Sequence, residues 1–191
     1  MKTYLLPSLK LTLILIIITA GLYPLLIAAI GKVTPGNGEG VKSIQNGRVV
    51  GYTNVGQKFT DDRYFWSRPS AVDYNAAGSA GSNKGPSNPN YLMLVLSRID
   101  TFTKYNPSIE KSEIPSDMVT ASGSGLDPNI SVQGAKIQVK RIAKLRNISE
   151  EKLVELVLNH TEKPLLNLMG PEKVHLLNLN LALDELTQTN K

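Results

Sequence analysis

The chain has 191 residues and a formal charge of +5 at pH 7, a length that suits one domain, or one domain with an appendage. It contains no cysteine, which excludes a disulfide scaffold, a thiolate zinc site, an iron–sulfur site and a cysteine nucleophile. Two histidines are too few for a three-histidine metal centre, and an aromatic content of 6% disfavours a surface that stacks nucleic-acid bases.

The first predicted element is a helix that spans a membrane. Residues 11–30 read LTLILIIITAGLYPLLIAAI and carry no charge. At about 1.5 Å per residue, a helix of this length is about 30 Å long, which matches the hydrocarbon core of a bilayer. We predict a retained transmembrane helix over 11–31, because the apolar run exceeds the about 7–15 residues of a signal peptide. Cleavage as a signal peptide is the alternative.

Small residues recur along this helix at helical spacing. Small side chains let two helices approach closely in lipid, so this stripe is predicted to pack against a partner helix. The alternative is that glycine and alanine are simply common in membrane helices. Proline lacks a backbone N–H and is expected to kink the helix. The stripe consists of Ala20, Gly21, Pro24 and Ala28.

Lysines flank the apolar run and account for most of the net charge. Removing Lys2, Lys10 and Lys32 from the 21 basic residues leaves 18, against 16 acidic residues. The rest of the chain is therefore nearly neutral, and no nucleic-acid partner is expected. Lysines before the run favour a cytoplasmic amino terminus. The predicted organisation is a cytoplasmic tail (1–10), the helix (11–31), a glycine-rich juxtamembrane link (32–47) and one soluble extracytoplasmic domain (48–191).

The first half of this domain is rich in loops. Residues 48–59 alternate partly and predict one or two short strands. Residues 64–90 are rich in Gly, Ser, Asn and Pro, and we predict an ordered surface anchored by 64–66, with a disordered linker as the alternative. Asn88 and Pro89 predict the start of a helix to Lys104. Its predicted inward residues are Leu92, Val95, Leu96, Ile99 and Phe102.

The second half predicts further helices. Residues 118–120 suit a strand and 122–125 a tight loop. Ser131 is predicted to cap a helix over 132–146 that Asn147 ends, and Ser149 to cap the next. Residues 177–181 alternate like a strand before a short helix to Leu186. The 132–146 helix has an apolar side (Val132, Ala135, Val139, Ile142 and Ala143) and a basic side (Lys136, Lys140, Arg141, Lys144 and Arg146).

Motifs for catalysis are incomplete. Residues 78–85 resemble a phosphate-binding loop, but a glycine must precede the lysine and a hydroxyl must follow it, whereas here Asn83 and Gly85 do. A serine-hydrolase relay can be written down from Ser79, His160 and Asp73. The spacing of these residues along the chain does not support the relay. No metal ligands and no catalytic residues are assigned. The fold class is α+β, and the pattern favours an accessory subunit over an enzyme.

Short sequence strings from the two loop-rich segments, and two strings further along the chain, carry a family resemblance. Residues 64–70 read YFWSRPS, residues 74–79, 81–83 and 85–89 read YNAAGS, GSN and GPSNP, and residues 119–128 read VTASGSGLDP. With QVKRIA (138–143) and NLNLALD (178–184), they resemble the C subunit of the Kdp-type potassium-importing P-type ATPase, over nearly the whole chain. The motif-loop residues so singled out are Trp66, Arg68, Asn75, Gly78, Asn83, Ser124, Gly125 and Asp127.

The resemblance implies a non-catalytic subunit in the cytoplasmic membrane of a bacterium or archaeon. Its implied partners are a channel-like potassium-binding subunit, the ATP-hydrolysing pump subunit and a small single-span subunit. The family is described as a catalytic chaperone that raises the pump subunit's affinity for ATP, which this subunit would meet only in the complex. Gln138 matches the glutamine of that proposal, with Lys140 and Arg141 near the phosphates. A solvent-facing Gln138 is the alternative.

Two other functions stay open on the sequence alone. One is a membrane-anchored serine hydrolase that uses Ser79. The other is an anchored extracytoplasmic binding domain that works alone. An outward-facing domain does not meet cytosolic ATP, so the predicted orientation favours a structural or gating role at the extracellular mouth of the complex.

Overall fold

The computed structural model describes residues 2–189, and the side chains of residues 4–187. It mixes helices and strands, as the α+β prediction requires, and it divides into two compact units, Met1–Lys42 and Ser43–Lys191. The first unit contains the apolar helix, and the short strands lie in the second unit. The boundary falls after Lys42, the first residue of the first strand.

The first unit contains one long apolar helix. It consists of helix α1 (Lys2–Ile16), a π-helical stretch (Ile17–Leu22) and helix α2 (Tyr23–Gly31). The helix over Tyr4–Gly31 is long and apolar enough to cross a membrane. Its most apolar 18-residue segment has no side chain buried within the protein. The predicted apolar helix is therefore confirmed by length and composition.

A π-helical turn precedes the proline of this helix. A proline inside a helix removes one hydrogen bond and clashes with the carbonyl group four residues earlier, here that of Ala20. The π-helical stretch includes Ala20 and Gly21, whereas Pro24 and Ala28 lie in α2. π-Bulges are a common cause of bends in helices. The role of these small residues in helix packing stays a prediction.

The glycine-rich link forms successive turns. The Asn37 N–H donates to the Thr34 carbonyl (3.0 Å) and the Glu39 N–H to the Gly36 carbonyl (2.8 Å). Gly36 has a φ of +85°, and a Cβ there would lie 2.6 Å from the backbone of Gly40. Glycine is therefore required at position 36 for both conformation and space.

The second unit begins with a hairpin of β1 (Lys42–Gln45) and β2 (Arg48–Tyr52). Its turn residues Asn46 and Gly47 both have positive φ, as a two-residue type I′ hairpin turn requires. One of the one or two strands predicted over 48–59 is therefore present. From residue 53 to residue 59 the chain forms only an isolated bridge between Tyr52 and Val55.

Helix α3 (Pro89–Tyr105) begins as predicted, because the Asn88 side chain accepts a hydrogen bond from the Tyr91 N–H. Its predicted inward face is only partly correct. Phe102 is buried, but Leu92 and Leu96 are exposed, Leu96 to 58%. Residues 91–96 of this helix are all apolar or aromatic and point in every direction around its axis, and none of them is buried. The buried residue of the helix, Phe102, lies near its carboxyl-terminal end.

A small antiparallel sheet and two corrected strands follow. Strands β3 (Asn129–Ile130), β4 (Thr161–Glu162) and β5 (Lys173–His175) lie in the order β3-β5-β4. The strand predicted over 118–120 is wrong: Ser116–Met118 is a 3-10 turn, and the Thr120 N–H donates to the Ser116 carbonyl. The strand predicted over 177–181 is also wrong, because helix α7 spans Leu176–Thr189.

The helix predicted over 132–146 is two helices, α4 (Val132–Lys136) and α5 (Val139–Arg146). Its caps are correct: the Ser131 side chain accepts from the Gly134 N–H, and Asn147 ends α5 with a φ of +54°. Ser149 caps helix α6 (Glu150–Asn159) as predicted. The core includes Phe65, Phe102, Ile130, Ile142, Leu153, Val157, Val174, Leu179 and Leu183.

Candidate functional site

Two irregular loops in the second unit pack against each other. We call residues 64–88 the first motif loop and residues 119–128 the second motif loop. The Ser70 hydroxyl donates to the Gly125 carbonyl (2.7 Å), and the Ser79 hydroxyl donates to the Ser124 carbonyl (3.0 Å). The glycine-rich segment is therefore held in place by specific hydrogen bonds, in agreement with the ordered surface that the sequence predicts.

Gly125 makes the close approach of the two loops possible. Its φ is +69°, a conformation that residues with a side chain rarely adopt. A Cβ at this position would lie 2.6 Å from Cγ2 of Val72 and 2.8 Å from the Ala80 carbonyl oxygen. Any larger residue at position 125 would separate the loops.

An ion pair also connects the two motif loops. Arg68 Nη1 donates to Asp127 Oδ2 (2.6 Å), and the other carboxylate oxygen accepts from the Asn129 N–H (3.0 Å). The Tyr74 hydroxyl donates to the Arg68 carbonyl (2.8 Å), and burial raises the pKa of Tyr74. The structure thus brings together Arg68, Ser124, Gly125 and Asp127, while Asn75 caps a local turn to Ala77.

Gln138 lies at the break between α4 and α5 and is fully buried. Its side-chain oxygen accepts from the Trp66 N–H (2.7 Å) and from Arg141 Nη2 (2.7 Å), and its side-chain nitrogen donates to the Gly134 carbonyl (2.9 Å). The solvent-facing alternative for Gln138 is therefore wrong. The amide side chain fixes the first motif loop to the helix break.

Arg141 is buried beside Gln138, with 8% of its surface exposed, so the basic side predicted for the 132–146 helix does not face solvent at this position. Its Nε donates to Asn106 Oδ1 (3.1 Å), Nη2 also donates to the Tyr64 carbonyl (3.2 Å), and Nη1 donates to the Asp62 carbonyl. Burial lowers the pKa of Arg141 to about 10, so the group is still charged at neutral pH. Its guanidinium lies 4.5 Å from the centre of the Trp66 ring.

Helix α7 holds the start of the first motif loop from another side. Asn180 Oδ1 accepts from the Phe65 N–H (2.9 Å), and Asn180 Nδ2 donates to the Phe65 carbonyl (3.0 Å). One turn further on, Asp184 accepts from the Tyr64 hydroxyl (2.9 Å) and from Arg146 Nη1 (2.8 Å). Asn180 and Asp184 belong to the NLNLALD string of the family resemblance, but sequence reasoning assigned no role to either. Their spacing of four residues is that of one helix face.

The three residues predicted to bind a nucleotide do not share one accessible site, because Gln138 is fully buried whereas Lys140 and Arg141 line a cavity. Lys140 and Arg141 line a surface cavity of about 450 Å³, with Lys104, Lys144 and Tyr105. Gln138 does not line it, and its polar atoms are bonded within the protein. A nucleotide could reach Gln138 only if these hydrogen bonds opened, so nucleotide binding by this group stays a prediction.

The members of the hypothetical serine-hydrolase relay have other partners. The Ser79 hydroxyl donates to the Ser124 carbonyl, His160 Nδ1 lies 2.9 Å from the Leu156 carbonyl oxygen, and Asp73 pairs with Lys58. Within residues 2–189, no hydrogen bond or ion pair joins two of the three. That same part of the chain contains no cluster of three His, Cys, Asp or Glu residues that could hold a metal ion.

Comparison with known proteins gives one consistent match. The model of the KdpC family, described as the c chain of the K⁺-transporting ATPase, matches residues 5–185. A potassium-transporting ATPase KdpC subunit from Flavobacterium psychrophilum is 57% identical over 178 residues, which cover 93% of this chain and 96% of the relative. Its counterpart from Bacteroides thetaiotaomicron is 47% identical over 188 residues, which cover 97% and 99% of the two chains.

Proposed function

The chain belongs to the KdpC family of the K⁺-transporting ATPase, and from that premise we propose that its domain fixes the assembly of the transporter at the outer face of the membrane. It is an accessory subunit of a P-type potassium transporter, with one helix that could anchor it in the membrane. We assign ATP hydrolysis to a partner subunit. The proposed partners are a channel-like potassium-binding subunit, the pump subunit and a small single-span subunit.

One observation carries this proposal: Arg68 of the first motif loop, and Arg141 and Arg146 of α5, are bonded inside the domain. Arg68 pairs with Asp127, Arg146 pairs with Asp184, and Arg141 donates to Gln138 and to backbone carbonyl groups. Groups bonded in this way hold a loop surface in one shape and leave no free acid or base among themselves. A rigid, shaped surface suits recognition of another protein.

The orientation rests on the charges beside the apolar helix. Lys2 and Lys10 precede it, so we place the amino terminus in the cytoplasm and the domain outside, in the cytoplasmic membrane. A single cysteine tests this, because the chain has none of its own. In right-side-out spheroplasts, a membrane-impermeant maleimide should label Ser87→Cys, an exposed position, while Thr3→Cys, which precedes the candidate span Tyr4–Gly31, should react only after lysis. Labelling in the reverse order would overturn the orientation.

Any effect of this subunit on the ATP affinity of the pump would act through assembly. In the proposed orientation the domain and cytosolic ATP lie on opposite sides of the membrane. Gln138, the residue that the family resemblance singles out, has its side-chain oxygen and nitrogen engaged by Trp66, Arg141 and Gly134. We therefore propose that Gln138 supports nucleotide affinity by holding the domain in the shape that the complex requires.

A second candidate is direct nucleotide binding in the cavity lined by Lys140 and Arg141. Its volume of about 450 Å³ lies in the usual range of about 300–1,000 Å³ for small-molecule sites, and four cations line it against one carboxylate. A photoreactive ATP analogue added to the assembled complex tests this candidate. Labelling of this subunit that Lys140→Gln abolishes would support direct binding. Labelling confined to the pump subunit would support the assembly role.

Recovery of the complex tests the assembly role itself. A tagged full-length chain, solubilised from its native membrane in mild detergent, should co-purify with other subunits and with potassium-stimulated ATPase activity. Gly21→Leu and Ala28→Leu should lower that recovery more than Leu15→Ala, because bulk on the small stripe blocks close helix packing. A chain that migrates alone would overturn the proposal, and equal recovery of the three variants would remove the stripe as a packing face.

A further inference from the structure

A second cleft lies between the first motif loop and helix α3. Its volume is about 240 Å³, and apolar or aromatic side chains form much of its lining, among them Phe59, Trp66, Phe102 and Met118. Three cations, Lys58, Arg68 and Arg98, line it against one carboxylate, that of Asp73. We call this feature the arginine cleft. Sequence reasoning assigned no role to Arg98.

Two of the three cations already have carboxylate partners. Lys58 Nζ lies 2.5 Å from Asp73 Oδ1, and Arg68 Nη1 lies 2.6 Å from Asp127 Oδ2. Arg98 differs, because it forms no ion pair within the described part of the chain. Its one hydrogen bond runs from Nη1 to the Val119 carbonyl (2.9 Å). Among the three cations of the cleft, Arg98 is therefore the one whose charge has no carboxylate partner in the described part of the chain.

The surroundings of Arg98 make an unpaired cation costly. The side chain is half-buried, and burial lowers the pKa of Arg98, which means that the folded protein disfavours the charged form. A guanidinium has five N–H groups in a planar fork, and a carboxylate takes two of them at once. In the same cleft, Arg68 Nε is buried without a hydrogen-bond partner among the described residues. Arg98 thus has donors that an incoming anion can use, whereas Arg68 Nε is enclosed by the protein.

We propose that the arginine cleft receives the carboxylate of an aspartate or glutamate from a partner subunit of the transporter, with Arg98 as its main partner. This inference rests on the proposed assembly role. The volume is below the about 300–1,000 Å³ of most small-molecule sites, so the cleft suits a side chain better than a nucleotide. Its apolar lining suits the methylene groups and neighbours of such a side chain, whereas a free inorganic anion gains nothing from Phe59 or Met118.

The first test reverses the charge at this position. In the co-purification experiment, Arg98→Glu should lower recovery of the partner subunits at least tenfold, because it sets two carboxylates against each other. Lys152→Glu makes the same change of charge at an exposed position of α6 and should leave recovery unchanged. Equal recovery of Arg98→Glu and wild type would overturn the inference and leave the assembly role intact. A wild-type chain that recovers no partner would instead overturn the assembly role.

The second test identifies the bound carboxylate directly and does not depend on a disruptive variant. Arg98→Lys keeps the charge and supplies an amine. A carbodiimide activates a carboxylate in contact with this amine, the amine forms an amide with it, and the carbodiimide leaves as a urea that has taken up the elements of water. In the purified complex, mass spectrometry should find an amide bond from position 98 to an aspartate or glutamate of another subunit. Coupling only to Asp73 or Asp127 of the same chain, coupling to a lipid headgroup, or no coupling in an otherwise assembled complex would overturn the inference.

Discussion

Soluble proteins usually bury apolar side chains and expose charged ones, and helices α5 and α3 break this rule in opposite ways. Helix α5 buries a charged residue, Arg141, whereas the first turns of α3 expose large apolar residues such as Leu92 and Leu96. Arg141 is tolerated inside because its hydrogen bonds reach Gln138, Asn106 and two backbone carbonyl groups. The leucines of α3 have no such compensation. A buried charge with four hydrogen bonds is part of the fold, whereas an exposed apolar turn contributes little to it.

The largest effect should come from the buried arginine. Arg141→Leu leaves Asn106 Oδ1 and the carbonyl groups of Asp62 and Tyr64 without this donor. Each buried acceptor left unpaired costs about 1–3 kcal/mol, so we expect unfolding of the detergent-solubilised chain to become easier by about 3 kcal/mol or more. Lys140→Leu, on the neighbouring exposed position, should change stability by less than about 0.5 kcal/mol. Similar thermal unfolding of both variants would remove the distinction between the two positions.

Asn180 should show the next largest effect. Asn180→Leu leaves the N–H and carbonyl groups of Phe65 without partners inside the core, which should cost about 2–6 kcal/mol for the two groups. Asn178→Leu is the matched control, because Asn178 is exposed on the same helix. Circular dichroism melting of both variants checks the difference. Equal melting curves would mean that the first motif loop does not depend on α7.

Tyr74 should add a pH dependence at the alkaline end. Burial raises its pKa above the ordinary value of 10.0, so the folded protein loses this proton at higher pH than the unfolded chain does. Its contribution to stability is therefore complete below pH 10 and is lost as pH rises through the folded pKa. Tyr74→Phe should remove one late step from the absorbance titration of the tyrosines. Loss of a step at the ordinary tyrosine pKa of 10.0, in place of a late step, would contradict the burial of this hydroxyl group.

The smallest effect should come from the exposed turn of α3. Leu96→Gln should change the free energy of unfolding by less than about 0.5 kcal/mol, because the side chain is already 58% exposed. Phe102→Ala, on the buried part of the same helix, should cost about 3–5 kcal/mol. Chemical denaturation of the two variants compares them. A loss of more than about 1 kcal/mol for Leu96→Gln would show that α3 packs more of its surface than its exposure indicates.

Local features of this fold could be predicted from the sequence, because short-range chemistry determines them. Asn88, Ser131 and Ser149 accept hydrogen bonds from backbone N–H groups within three residues, and Asn147 adopts the left-handed conformation at the end of α5. The long apolar run specified its helix in the same way. None of these features depends on what the rest of the chain does.

The wrong predictions concern features that distant residues decide. The alternation of leucine and asparagine over 177–181 fits a strand, but Leu176, Leu179 and Leu183 also lie on one helix face, and burial of that face in the core selects the helix. The position of Arg141 could not be predicted either. A basic residue on an amphipathic helix is usually solvated, and its acceptors here include Asp62 and Tyr64, far away in sequence.

The long reach of the first motif loop has a consequence for biosynthesis. The hydrogen bonds of Phe65 with Asn180 join residues 115 positions apart, and that of Tyr64 with Asp184 spans 120. At about 5–20 residues per second, the ribosome adds the partner of Phe65 about 6–23 s after Phe65 itself. During that interval the loop and its aromatic residues lack the contacts that hold them, and pairings of such high contact order form slowly afterwards. A premature stop before Asn180 would therefore leave the whole motif loop in the chain but remove what fixes its start.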